Sequence, residues 1–213
     1  MKKIDTSLYL ITASDGRSEE IFLEKIESAL RGGVTLVQLR EKEKSTREYL
    51  GIAKKVHEIT RQYNIPLIID DRIDVAVAAK AEGVHLGQSD MPINIARNLL
   101  GNDFIIGATA KTVEQAREAF NQGADYLGVG AIYPTKTKVK TVLTSTGVLS
   151  DICGAVPIPV NAIGGLNKGN LGILRGIPIS GICTVSAVMD SENAEASAIE
   201  LKKAFEDIRK TNI

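Results

Sequence analysis

Short apolar runs rich in β-branched residues recur along the chain, separated by turn residues and by segments of helical period. The runs are LYLIT (8–12), LVQLR (36–40), PLIID (66–70), GVHLG (83–87), FIIGAT (104–109), YLGVG (126–130), PVNAIGG (159–165) and GICTVSA (181–187). Most are continuous rather than alternating, the pattern of parallel strands covered on both faces. In the segment after the first run, Ile21, Phe22, Ile26, Ala29 and Leu30 form one stripe. Ser18 is placed to cap its start, Glu19 and Glu20 suit its first turn, and Gly32-Gly33 can end it. Ser45 with Glu48, and Thr112 with Gln115, stand at capping-box spacing. The last helix is predicted over roughly 192–210, and the segment near 145–154 has the weakest helical pattern, a few turns.

Eight strand–helix units with no linker or composition shift predict a single (β/α)8 barrel, a TIM barrel, over residues 1–213. A doubly wound open sheet is the competitor. It usually has fewer strands for this length and a Gly-rich first turn, and ITASDGRSEE contains no GxGxxG.

Hydrophobic residues make up 44% of the chain and charged residues 24%, with 26 basic and 26 acidic side chains. That balance removes any global electrostatic case for nucleic acid or an anionic membrane, so an anion site must be local. The N-terminal apolar run is too short for a signal peptide, and no run approaches the length of a membrane span. Cys153 and Cys183 lie in apolar surroundings without CxxC or zinc spacing and read as unpaired, buried thiols, so a cytoplasmic protein is expected.

In such a barrel the site is built at the carboxyl ends of the strands. Those ends carry Gln38, Arg40 and Lys42; Asp70 and Asp71; Gln88 and Asp90; Thr109 and Lys111; and a cluster of Thr135, Lys136, Thr137, Lys138 and Lys140. Carboxylates among several Arg and Lys suit a magnesium-bound polyphosphate, because hard oxygens take Mg²⁺ and Arg can fork onto phosphate. Gly164-Gly165 and Val185-Ser186 offer backbone N–H groups where such barrels often bind a monophosphate. Each piece has a plainer reading. Asp71 and Asp90 could be helix N-caps, REKEK a solvated charge run, PTKTKVKT a polar loop, and IGG a tight turn. Convergence of five strand ends on one chemistry favours the site. His57 falls on a helix and reads as a surface residue; His85, in GVHLG, could point into the barrel mouth, but a satisfied core histidine is the more frequent outcome and no catalytic role is assigned to it.

The segments VQLREK, DDRIDVAVAAKAEGVHLGQSD, GVGAIYPTKTK, AIGG and VSA occur in an order and spacing that resembles the thiamine-phosphate synthase family over nearly the whole chain. The resemblance implies a transferase of thiamine biosynthesis. It joins 4-amino-5-hydroxymethyl-2-methylpyrimidine diphosphate to thiazole phosphate, giving thiamine phosphate and pyrophosphate with Mg²⁺. Carried over by motif, the segment Gln38, Leu39, Arg40, Glu41 and Lys42 holds the pyrimidine and its diphosphate, with Asp70, Thr109 and Lys138 completing that pocket. Asp71 and Asp90 bind the metal, while Thr135, Lys136, Thr137, Gly165, Val185 and Ser186 hold the thiazole phosphate. Arg40, Lys42 and Lys138 act on the leaving group. The implied partners are the two small-molecule substrates, with a homo-oligomer left open. The family's route is thought to pass through a pyrimidine-methyl cation, which needs no nucleophilic side chain.

Three positions depart from the family pattern: Asp70 where Asn is frequent, Thr109 where Ser is frequent, and GAIYPT followed by KVKTVLTS in the loop after the sixth strand. A thiazole tautomerase of the same fold lacks the full diphosphate set, and a phosphosugar barrel does not require the paired aspartates. A silent relative would bind without turnover. Arg40, Lys42, Asp71, Asp90 and Lys138 together favour the synthase.

Overall fold

The computed structural model describes residues 3–134 and 142–210. Eight parallel strands close into a barrel in sequence order. They are β1 (Leu8–Ile11), β2 (Leu36–Leu39), β3 (Leu67–Asp70), β4 (Gly83–Leu86), β5 (Ile105–Ala110), β6 (Tyr126–Gly130), β7 (Val160–Ile163) and β8 (Gly181–Thr184). The helices around them are α1 (Glu19–Arg31), α2 (Thr46–Gln62), α3 (Ile73–Ala79), α4 (Ile93–Leu100), α5 (Val113–Asn121), α6 (Thr146–Ala155), α7 (Ser186–Met189) and α8 (Ala194–Lys210).

Period-two alternation sorts the strand residues between two cores. Leu8, Leu10, Val37, Leu39, Leu67 and Ile69 face outward and pack beneath the helices, whereas Tyr9, Ile11, Leu36, Ile68, Ile105, Tyr126 and Cys183 fill the barrel. Both layers are closed to solvent, which explains the continuous apolar runs.

The helix signals act as the sequence predicts, with local differences. The Ser18 side chain accepts from the Ile21 N–H, and Ser45 and Glu48 form a reciprocal capping box. Thr112 accepts from the Gln115 N–H, but the Gln115 side chain reaches one residue further back, to the Lys111 N–H at 2.8 Å. Ile21 lies at the edge of its stripe and is exposed. The segment at 145–154 forms a full ten-residue helix, started by Ser145. Between β7 and β8 the chain makes only a 3-10 turn, Leu171–Leu174, because Gly169, Gly172, Gly176 and Pro178 leave no uninterrupted helical stretch. The one-turn α7 precedes α8 in the last unit.

His57 is a correction to the surface expectation. It is buried, with Nδ1 at 3.1 Å from the Ala79 carbonyl and Nε2 at 3.0 Å from Glu82. Glu82 also accepts from the Leu67 N–H at 2.8 Å, so the histidine helps fasten α2 to the start of β3. Cys183 is buried and Cys153 half-buried, both unpaired. Among the described residues no helix is long and apolar enough to cross a membrane.

Candidate active site

A cavity of about 600 Å³ opens at the carboxyl ends of the strands. It brings together Gln38, Arg40, Lys42, Asp70, Asp71, Asp90, Thr109, Gly165, Val185 and Ser186, together with Gln88 and Lys111, which the sequence also placed at these strand ends. Thr135, Lys136, Thr137, Lys138 and Lys140 lie outside the described residues. Leu39 and Glu41 are not among the lining residues. Alternation along β2 turns Leu39 outward into the helix-facing core, and Glu41 turns toward Ser14, whose hydroxyl donates to it at 2.9 Å.

Asp70 ends β3 pointing inward and is 7% exposed. Asp71 follows with φ 60, in the left-handed region that Asp tolerates better than most residues, and its N–H donates to the His85 carbonyl at 2.9 Å. Asp90 closes a turn on Gly87. Its Oδ2 accepts the Gly87 N–H at 2.6 Å and its own N–H reaches the Gly87 carbonyl at 3.2 Å. Neither aspartate caps the helix that follows, since the N-cap residue is Arg72 for α3 and Pro92 for α4, both without a side-chain cap. The capping alternative for these acids is thereby removed.

The charges are packed together. Lys42 Nζ lies 2.8 Å from Asp70 and also bonds Asp71, while Arg40 Nε stands 3.7 Å from Asp70. Burial, reinforced by the charge of Asp71, pushes the Asp70 carboxyl up to about 6 against the pull of Lys42 and Arg40. Burial also raises Asp90, and its contact with Asp71 adds to the rise. Burial opposes the charge on Lys42, yet hydrogen bonds to the two aspartates hold its pKa above the ordinary value.

Among the described residues no three His, Cys, Asp or Glu side chains converge on one point. A cation here would take Asp71 and Asp90 and complete its shell with water and substrate oxygens. That hard, partial donor set fits Mg²⁺, which keeps several waters and bridges phosphates. Two touching carboxylates, with Asp90 raised by burial and by its neighbour, are the local condition that a divalent ion relieves.

On the opposite wall, Gly164 (φ 106) and Gly165 (φ 64) turn the chain after β7. A Cβ at Gly164 would lie 2.4 Å from Ala131 Cβ, and one at Gly165 would lie 2.8 Å from Tyr133 Cβ. The glycines act as the tight-turn reading of IGG expects and let this loop lie against the β6 loop, while Gly165 also lines the cavity with Ser186.

The cavity floor holds two tyrosines that the strand-end reading passed over, beside the histidine it had placed as able to face the mouth. Tyr9, Tyr126 and His85 are buried inside the barrel, and Tyr9 and His85 line the cavity. Burial pushes His85 down to about 4, so it is neutral. The available signal was a tyrosine inside each of two buried strands, since a buried phenol needs a hydrogen-bonding partner.

Residues 8–188 match the thiamine monophosphate synthase family. The thiamine-phosphate synthase of Methanobrevibacter smithii is 46% identical over 96% of this chain and 98% of its own. Thiamine-phosphate synthase 2 of Streptococcus pneumoniae is 48% identical over 94% of this chain and 96% of its own. The solved thiamine phosphate pyrophosphorylase of Pyrococcus furiosus superimposes with a TM-score of 0.87 at 39% identity, covering 96% of this chain and 97% of that one. With the match spanning every strand of the barrel, the chain belongs to the thiamine monophosphate synthase family.

Proposed function

We propose that the residues of this cavity divide the thiamine-phosphate synthase reaction between a diphosphate side and a monophosphate side. The chain is a transferase of thiamine biosynthesis acting on small molecules. Its two substrates are 4-amino-5-hydroxymethyl-2-methylpyrimidine diphosphate and thiazole phosphate, and its products are thiamine phosphate and pyrophosphate. The observation that carries the division is Lys42 bridging Asp70 and Asp71 with Arg40 alongside, a cluster of alternating charge in one mouth.

Pyrophosphate leaves only when its growing charge is neutralised. Arg40 and Lys42 reach into the cavity and supply fixed positive charge there, and Lys138 would join them from the loop after β6. Asp71 and Asp90 would hold Mg²⁺, whose contribution when bound would be to neutralise the diphosphate oxygens. Gln38 orients the pyrimidine, and Thr109 and Asp70 complete its pocket. Departure of pyrophosphate leaves a pyrimidine-methyl cation, and the thiazole nitrogen captures it with its own lone pair. Gly165, Val185 and Ser186, with Thr135, Lys136 and Thr137 from the β6 loop, hold the thiazole phosphate so that the nitrogen faces the cation. The described cavity residues hold no Ser-His-Asp or Cys-His arrangement, and this route requires none. The unpaired thiols of Cys153 and Cys183 fit a reducing compartment such as the cytoplasm.

The test is pyrophosphate release by purified protein given both substrates and Mg²⁺, with each component omitted in turn. Release that needs all three, with thiamine phosphate formed in equal amount, is expected. Absence of release under those conditions would overturn the reading.

A further inference from the structure

We propose that five side chains on the barrel floor form one directional hydrogen-bond relay that fixes the tautomer of His85 and makes the Thr109 hydroxyl a donor toward the substrate. Gln38 Nε2 donates to Tyr9 Oη at 2.6 Å, and Tyr9 Oη lies 2.7 Å from Tyr126 Oη. Tyr126 Oη lies 3.2 Å from His85 Nδ1, and His85 Nε2 lies 3.0 Å from Thr109 Oγ1. The chain thus crosses the floor through β2, β1, β6, β4 and β5.

A hydroxyl carries one hydrogen, and a neutral imidazole carries one N–H. Tyr9 receives from Gln38, so its own hydrogen goes to Tyr126. The Tyr126 hydrogen then goes to His85 Nδ1, which must be the bare nitrogen. His85 therefore carries its hydrogen on Nε2 and donates to Thr109. The Thr109 hydrogen is left over and is available to the cavity that Thr109 lines. Turning Gln38 to present its oxygen to Tyr9 would reverse every bond. His85 would then become the Nδ1–H tautomer, and Thr109 would present lone pairs only. An anionic phosphate oxygen accepts from the forward direction and is repelled by the reverse one.

Two further features make the relay a built device. Tyr9 and Tyr126 are 1% and 0% exposed, so water has no access to substitute for either hydroxyl. The relay also depends on an absent side chain: a Cβ at Gly107 would lie 2.3 Å from Tyr126 Oη and 2.6 Å from His85 Nδ1. Glycine at this strand position is what allows the tyrosine and the histidine to meet.

The role given to Thr109 rests on the diphosphate placement proposed above, whereas the relay itself does not. The protein therefore is tested first without substrate, by nitrogen-15 NMR of labelled histidine, with His57→Gln used to assign the two rings. Wild-type His85 is expected as the Nε2–H tautomer; Nδ1–H overturns the relay. Gln38→Glu at about pH 8, where glutamate is ionised, offers Tyr9 only acceptors and is expected to flip His85 to Nδ1–H. This change is expected to vanish when Tyr126→Phe cuts the chain in between, and an unmoved His85 in Gln38→Glu overturns the relay. The delivery to substrate is read separately. Thr109→Val is expected to raise KM for the pyrimidine diphosphate about tenfold, as for one hydrogen bond to a charged group, with Thr109→Ser near wild type. An unchanged KM in Thr109→Val overturns the donor role, whatever the tautomer.

Discussion

Lys42 Nζ stands 2.8 Å from the Asp70 carboxylate, and that carboxylate sits almost wholly buried at the end of β3. The same ammonium bonds Asp71, so one lysine compensates two neighbouring acids. Among the described residues, Lys42→Ala leaves Arg40 as the cation beside Asp70, and it removes a cation from the diphosphate side. We expect turnover to fall by about a hundredfold, the usual scale for losing one transition-state electrostatic contact. Steady-state pyrophosphate release checks this, and activity within a few-fold of wild type would return Lys42 to a structural role.

Asp71 and Asp90 touch, and Asp90 is destabilised as a carboxylate by burial and by its neighbour. Asp71→Asn and Asp90→Asn should therefore fold as well as wild type, or slightly better, in the absence of metal. Wild type is expected to melt at a higher temperature when Mg²⁺ is added, by linkage of binding to folding, and both variants should lose that increment along with turnover. Thermal melts with and without Mg²⁺ separate this from a general loss of stability. A variant that keeps the Mg²⁺-dependent shift is not missing a metal ligand.

The sequence made the barrel and most of the charged mouth legible for one reason. Buried parallel strands are continuous apolar runs, and polar residues at their carboxyl ends stand out against them. Tyr9 and Tyr126 escaped because a tyrosine within such a run reads as one more apolar body, and its hydroxyl partner comes from a distant strand. His57 read as surface for a similar reason: its partners, Ala79 and Glu82, belong to a later unit. Leu39 and Glu41 were carried along by the motif around them, although a strand turns alternate residues away from the mouth. The lack of an α-helix between β7 and β8 is a composition effect, since glycine at 169, 172 and 176 breaks the stretch where it would run.

Gly107 supplies a prediction about packing. Tyr126 is fully buried, and a methyl at position 107 would stand 2.1 Å from its ring. The ring has no free side to retreat to, so Gly107→Ala is an overpacking change costing about 1–3 kcal/mol. Urea unfolding of the variant should show a lower midpoint with an unchanged slope. An unchanged midpoint would mean that the barrel floor yields more readily than its packing implies.

Glu41 gives the pH dependence. Its carboxyl is buried beside Ser14, with Lys44 at 3.9 Å, and its Oε1 has no hydrogen-bond partner among the described residues. Burial raises its pKa above the ordinary carboxylate value, outweighing the Ser14 hydrogen bond and Lys44. The folded protein therefore holds this proton more tightly than the unfolded chain does. Below the ordinary carboxylate range both states are protonated and the site costs nothing. As pH rises through that range and the raised folded value, ionisation becomes harder in the folded state, and stability is lost. Glu41→Gln removes the titration. It should be more stable than wild type at pH 8, with the difference shrinking as pH falls toward 4. Chemical denaturation at several pH values checks this. A difference that grows toward acid pH would mean that the Ser14 and Lys44 contacts outweigh the burial of the charge.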